Sequence, residues 1–157
     1  MRILNELGRS LLIEREGLYL NPYKCPAGVW TIGIGTTVYP NGAKVSKNDT
    51  CITKEKAYEY LDWELSLKSS TLEHFLKANN LVFTDNQFSA LLSFAYNLGC
   101  GPIIDNHRSL CQALILGKGI REAFMLYVKA RNRFGFMVKL KGLITRRTQE
   151  ADLYELN

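Results

Sequence analysis

The sequence predicts an α+β protein that is mostly helical, with a small antiparallel β lobe, a larger helical lobe and a cleft between them. Three observations point there. Apolar residues recur at helical spacing before residue 16 and again from residue 53 onward. Residues 17 to 52 are instead rich in Gly, Tyr, Val and Thr and are punctuated by turn signals. A chain of 157 residues with 46% apolar content can bury one proper core. A single domain over 1–157 is therefore expected, its β lobe at 17–52 and its helical lobe made of 1–16 together with 53–157.

Each element has a local reason. Ile3, Leu4, Leu7, Leu11 and Leu12 form the apolar stripe of a first helix, expected from Arg2 to Glu14 or Arg15, so that Glu16 sits where helix hands over to sheet. Pro26-Ala27-Gly28 and Pro40-Asn41-Gly42 are turn signals around a β-rich run, Val29 to Ile34. A lobe this small must lean on helices. Thr53 is a suitable N-cap for a long helix through Ala57, Tyr58, Leu61 and Leu65 to about Lys68. A short helix from Ser70 or Thr71 carries Leu72, Phe75 and Leu76 and is closed by Asn79-Asn80. Thr84-Asp85-Asn86-Gln87 reads as a capping box. The helix it starts is apolar almost all round (Phe88, Leu91, Leu92, Phe94, Ala95, Leu98), which marks it as the core of the helical lobe, stopped by Gly99. Further helices are expected at Ser109 to Leu116, Arg121 to Arg131 and Leu143 to Leu156.

The charge balance narrows the partners. Twenty Lys and Arg against fifteen Asp and Glu leave a formal charge of +5, which favours an anionic partner such as nucleic acid, a membrane surface or an acidic wall polymer. The basic residues are spread along the chain, densest from Lys129 to Arg147, and form no K/R-rich block, so nucleic acid is not expected as a partner. No apolar run is long enough for a membrane span, and Met1 to Ile13 is too polar for a secretory signal. The four cysteines, Cys25, Cys51, Cys100 and Cys111, lack Cys-x-x-Cys spacing, which argues against a zinc site and for reduced thiols. His74 and His107 stand apart with no acidic partner at ligand spacing, so no metal is expected.

The chemistry concentrates between Arg15 and Thr37. A carboxyl at Glu16 beside Tyr19, Tyr23, Trp30 and Ile32 is expected to hold its proton near neutral pH through desolvation, which suits a general acid. The hairpin brings Cys25, just before its turn, and Thr31, on its returning strand, toward that acid. Asn97, Gln87 and Arg131 are candidate substrate contacts from the opposite wall of the cleft. A thiol of ordinary pKa, about 8.5, is only a few per cent thiolate at pH 7. Cys25 therefore needs a lowered pKa or a duty other than attack. It could position and polarise water together with Thr31, or attack covalently.

Glu16-Gly17, followed by Cys25-Pro26-Ala27-Gly28-Val29-Trp30-Thr31-Ile32-Gly33-Ile34-Gly35, resembles the catalytic segment of the phage-type lysozymes, the endolysin muramidases of glycoside hydrolase family 24. Asn86 to Gly99 is similar to that family's central helix, and Gly142-Leu143-Ile144-Thr145-Arg146-Arg147 with Glu150 to its C-terminal signature. Position by position, Glu16 falls on the family's catalytic Glu and Thr31 on its catalytic Thr. Cys25 stands where most members have Asp, although some endolysins use Cys there. Thr36 replaces a His found in many relatives, and the region of Val128 lacks their Trp. The resemblance implies a lysozyme-like fold and hydrolysis of the β-1,4 bond between N-acetylmuramic acid and N-acetylglucosamine in peptidoglycan. It implies no metal or organic cofactor and a monomer held in the host cytoplasm until a holin opens the way to the wall. The Cys at position 25 leaves a second reading open, a peptidoglycan-binding module that has lost catalysis.

Overall fold

The computed structural model describes residues 2–25, 27–132 and 134–156. Among them are seven helices and two antiparallel two-stranded sheets, so the fold is mostly helical α+β. The chain divides into two compact units, Leu12–Leu67 and Met1–Leu11 with Lys68–Asn157, the divisions falling inside two helices.

In the unit Leu12–Leu67, helix α1 (Glu6–Glu16) ends where Gly17 turns to a φ of +74° and donates its N–H to the Ile13 carbonyl at 2.8 Å. A left-handed residue closes a helix this way at little cost only if it is Gly. The chain then reverses into β1 (Tyr19–Lys24), which pairs antiparallel with β2 (Trp30–Gly33) in the register Lys24 to Trp30, Tyr23 to Thr31 and Tyr19 to Gly33, with a bulge before Tyr23. Ile32 and Thr36 exchange backbone hydrogen bonds across a tight Gly33-Ile34-Gly35 turn. A Cβ at Gly33 would come 3.3 Å from the Ala57 Cβ, so the glycine lets β2 approach helix α2 (Lys54–Ala78) closely. The unit's buried apolar residues are Leu12, Ile32, Ile34, Val45, Ala57, Leu61 and Leu65.

The other unit is built on α3 (Asp85–Leu98), where Thr84 and Gln87 form the capping box and residues 88–96 are all buried. Around it come α4 (Gly101–Ile104), α5 (Ser109–Leu116), α6 (Ile120–Met125), a hairpin of β3 (Lys129–Arg131) and β4 (Met137–Lys139), and α7 (Lys141–Glu155), which packs on α3. Phe94 meets Phe124 and Tyr127 edge-on, at 5.4 and 5.2 Å between ring centres. Beside them lies a buried charge network. Glu150 accepts from Ser93 Oγ at 2.9 Å and from Arg146 Nε at 3.1 Å, and its second oxygen pairs with Arg147 Nε at 2.9 Å. Arg147 also lies over the Phe94 ring, 4.5 Å from its centre. Burial raises the Glu150 pKa against the pull of both arginines.

Several element bounds differ from expectation. The first helix starts at Glu6, because the Asn5 side chain accepts from the Gly8 N–H at 2.9 Å and caps it there, and it runs on through Glu16. The helix capped by Thr53, whose Oγ1 accepts from Lys56 N at 3.2 Å, does not stop near Lys68. Ser69, Ser70 and Thr71 contain no Pro or Gly to break it, and Ser69 Oγ instead donates to the Arg2 carbonyl. Helix α4 was not anticipated. The helix expected over Arg121 to Arg131 ends at Met125, and β3 takes its last residues. The cause is the turn after it, where Asn132 Oδ1 accepts from the Phe134 and Phe136 N–H groups at 2.9 and 3.0 Å, while Gly135 adopts a φ of +84°. Among the described residues no helix is long and apolar enough to cross a membrane.

Candidate active site

Strand pairing positions two of the three residues singled out as catalytic, Cys25 and Thr31, and Glu16 ends α1; all three belong to the unit Leu12–Leu67. Cys25 extends β1 by one step, its N–H donating to the Val29 carbonyl at 3.0 Å, and its own carbonyl accepts from Gly28 N at 2.8 Å. That turn needs Gly28 at a φ of +81°. Thr31 lies opposite Tyr23, and Tyr23 and Cys25, two residues apart on an extended chain, share a face. The hairpin thus brings Cys25 and Thr31 together.

The pKa of the Cys25 thiol is lowered. Desolvation pushes its pKa up, but backbone N–H groups of Val29, Ala27 and Gly28, together with the Thr31 hydroxyl, bond the charged form and leave the net shift downward. Thr31 is 3% exposed, and its hydroxyl also lies 3.1 Å from the Val29 carbonyl oxygen. A hydroxyl has one proton, so Thr31 can donate to that carbonyl or to the sulfur and accept from a third group.

Glu16, half-buried at the end of α1, joins this neighbourhood through Tyr23. The Tyr23 phenol is raised first by burial, then by Tyr19 and by the negative charges of Glu16 and Cys25. Its ring centre is 4.3 Å from that of Tyr19. Tyr23 is the residue the sequence reading used only as surroundings for Glu16. Its place two residues before Cys25 was the signal that it shares the thiol's face. Lys24, on the alternate position, instead lies 5.6 Å from the Trp30 ring centre.

The three residues proposed from sequence as substrate contacts fall in the other unit. Gln87 is engaged in the capping box, its Oε1 accepting from Thr84 N at 2.9 Å. Asn97, half-buried near the end of α3, accepts from Arg147 Nη2 at 3.0 Å. Arg131 is exposed on β3 and donates to the Gly135 carbonyl at 3.0 Å. Among the described residues no group of three His, Cys, Asp or Glu side chains could hold a metal ion, and all four cysteines are free.

These features have counterparts in known proteins. The family model described as Phage lysozyme matches residues 13–150. An endolysin from Acyrthosiphon pisum secondary endosymbiont phage 1 is 32% identical over 154 residues, 97% of each chain. The endolysin from Escherichia coli O157:H7 phage FAHEc1 superposes with a TM-score of 0.80 at 32% identity, covering 99% of this chain and 94% of that one. The active form of the P1 phage endolysin Lyz superposes with a TM-score of 0.73 at 26% identity, over 96% of this chain and 84% of that one. With the family model spanning all of β1, β2 and the helices from α2 to the buried Glu150, the chain belongs to the phage lysozyme family.

Proposed function

We propose that this chain is an endolysin-type muramidase that hydrolyses the β-1,4 bond between N-acetylmuramic acid and N-acetylglucosamine in peptidoglycan, residues 1–157 working as one lysozyme-like domain. The observation that carries the mechanism is the β1–β2 pairing, which puts Cys25 and Thr31 on one face of the hairpin with the thiol pKa lowered, and a thiolate there can serve as the base that a glycosidase needs beside its acid. Glu16 gives its proton to the leaving glycosidic oxygen. A water held by the Thr31 hydroxyl attacks the anomeric carbon and loses its proton to the Cys25 thiolate. Both proton transfers then reverse through solvent, and the enzyme is regenerated. Asn97, Gln87 and Arg131 serve as sugar contacts through the donor groups that their described bonds leave over. In this account the enzyme needs no cofactor, acts as a monomer and waits in the host cytoplasm for holin-dependent release.

The test is digestion of purified peptidoglycan with analysis of the new chain ends. Wild type should release fragments whose reducing end is N-acetylmuramic acid, and Glu16→Gln should lower the rate by about a hundredfold to ten-thousandfold. Reducing N-acetylglucosamine would move the cut to the other glycosidic bond. Retention of the protein on the wall with no new ends would favour the binding-module reading that Cys25 motivates. Full activity after thiol alkylation, or in Cys25→Ser, would remove Cys25 from the chemistry, and an accumulating sugar adduct at Cys25 would replace the water route by covalent attack.

A further inference from the structure

Between Glu122 and Glu150 the sequence holds no acidic residue and seven cations. Arg146 and Arg147 are occupied by Glu150 in the buried network. Of the other five, Lys129, Arg131, Lys139 and Lys141 lie on or beside the β3–β4 hairpin, and Arg133 is outside the described residues. The register sets Lys129 directly opposite Lys139, and like charges facing each other across a strand pair weaken it. Among the described residues, none of Lys129, Arg131, Lys139 and Lys141 forms an ion pair to offset this. The same hairpin exposes large apolar side chains, with Phe134 at 67%, Phe136 at 69% and Met137 at 56% exposure. These are not left out by a loose loop. Asn132 N donates to the Phe136 carbonyl at 2.9 Å, Gly135 N to the Asn132 carbonyl at 2.9 Å, and the Asn132 side chain caps the turn, so the fold holds the two phenylalanines outward. At the base, Leu140 N bonds the Val128 carbonyl at 2.9 Å.

We propose that the β3–β4 hairpin docks on an anionic phospholipid surface, Phe134 and Phe136 entering the headgroup layer while Lys129, Lys139 and Lys141 meet lipid phosphates. A soluble polyanion satisfies the cations and leaves the aromatic tip in water. A bilayer interface takes both, since aromatic rings partition to headgroup depth and basic side chains are attracted by the anionic surface. The unpaired lysines and the outward phenylalanines then have one common explanation.

Sedimentation of the full chain with vesicles tests this, using phosphatidylcholine alone and phosphatidylcholine mixed in equal parts with phosphatidylglycerol. Binding is expected to the mixed vesicles and not to the neutral ones, and it should weaken with added salt. Lys129→Gln with Lys139→Gln should lower the partition coefficient by roughly thirtyfold, from the usual contribution of a basic residue near such a surface. Phe134→Ser with Phe136→Ser should lower it by about tenfold or more. Glu16→Gln should bind vesicles as wild type does, which separates this result from the fate of the muramidase reading. A Phe136→Trp variant gives a second readout that does not depend on loss of binding, since its added emission should shift to shorter wavelength on mixed vesicles. No binding to mixed vesicles, or equal binding to both kinds, overturns the proposal. So does binding that survives the phenylalanine changes while inorganic polyphosphate binds as tightly, which would make the hairpin a site for soluble polyanions.

Discussion

The molecule contains two hairpins of similar size that the sequence treats very differently. In β1–β2 the returning strand is almost wholly buried, its turn is closed by backbone bonds at Cys25, and its glycines at 33 and 35 admit tight packing. In β3–β4 every second residue is exposed, the turn is closed by an asparagine side chain, and large apolar groups face outward. One hairpin is stabilised by what it covers and the other by its own turn chemistry. The first therefore places reacting groups accurately, and the second presents a surface.

The largest effect expected from a single change lies in the buried charge network between α3 and α7. Glu150→Gln leaves two buried guanidinium groups without their counter-charge, which should cost about 3–5 kcal/mol and lower the thermal midpoint by on the order of 10 °C. Calorimetry checks this, and an unchanged midpoint would show that the network contributes no net stability. Next, Cys25→Ser should reduce peptidoglycan turnover by about a hundredfold or more, because a hydroxyl cannot take up a proton near neutral pH, while Cys25→Asp should retain much of the rate.

The comparison is sharpened by one substitution in each turn. Gly28 and Gly135 have nearly the same backbone angle, +81° and +84°, and a Cβ at either would meet nothing within 4 Å. Gly28→Ala and Gly135→Ala should each cost about 1–2 kcal/mol of backbone strain in denaturant unfolding. Only the first should slow turnover, since only Gly28 belongs to the turn that holds Cys25, its N–H bonding the Cys25 carbonyl. Equal losses of activity would mean that the turn holding Cys25 has no part in the reaction.

The thiols provide a further check through pH. Folding favours the Cys25 thiolate, so its folded pKa lies below the unfolded one. The associated stabilisation is present above the ordinary thiol value of about 8.5 and is lost as pH falls through the lowered value. Burial raises the thiols of Cys100 and Cys111. Iodoacetamide at neutral pH, followed by peptide mapping, should therefore modify Cys25 ahead of those two. The smallest effect belongs to Thr36, which is buried and whose Oγ1 has no hydrogen-bond partner among the described residues. Thr36→Val should be neutral or stabilising by up to about 1 kcal/mol.

What could be read in advance follows the same division. The turn at Ala27-Gly28 (Pro26 lies outside the described residues), the run Val29 to Ile34, the capping box at Thr84 and the helix Ser109–Leu116 were legible because local turn chemistry and one-sided burial agree there. The β3–β4 hairpin was not, since three-residue strands with both faces near solvent carry too little alternation to compete with the helical spacing of Ala123, Tyr127 and Ala130. The unbroken α2 was missed because the Ser-Ser-Thr run at 69–71 looks like a boundary, although it contains no residue that ends a helix. At the site, residue types marked Glu16, Cys25 and Thr31, but no pattern in side chains reveals the register that sets Thr31 opposite Tyr23. The place of Tyr23 between the acid and the thiol likewise depends on the strand register.

The central claim, that Glu16 acts with the thiol-bearing hairpin to cut glycan chains, is tested most directly by reducing-end release from purified peptidoglycan by wild type and Glu16→Gln at equal folded concentration. The account predicts steady release by wild type and a rate lower by about a hundredfold or more for the variant. Equal rates, or no release by either protein, would contradict it.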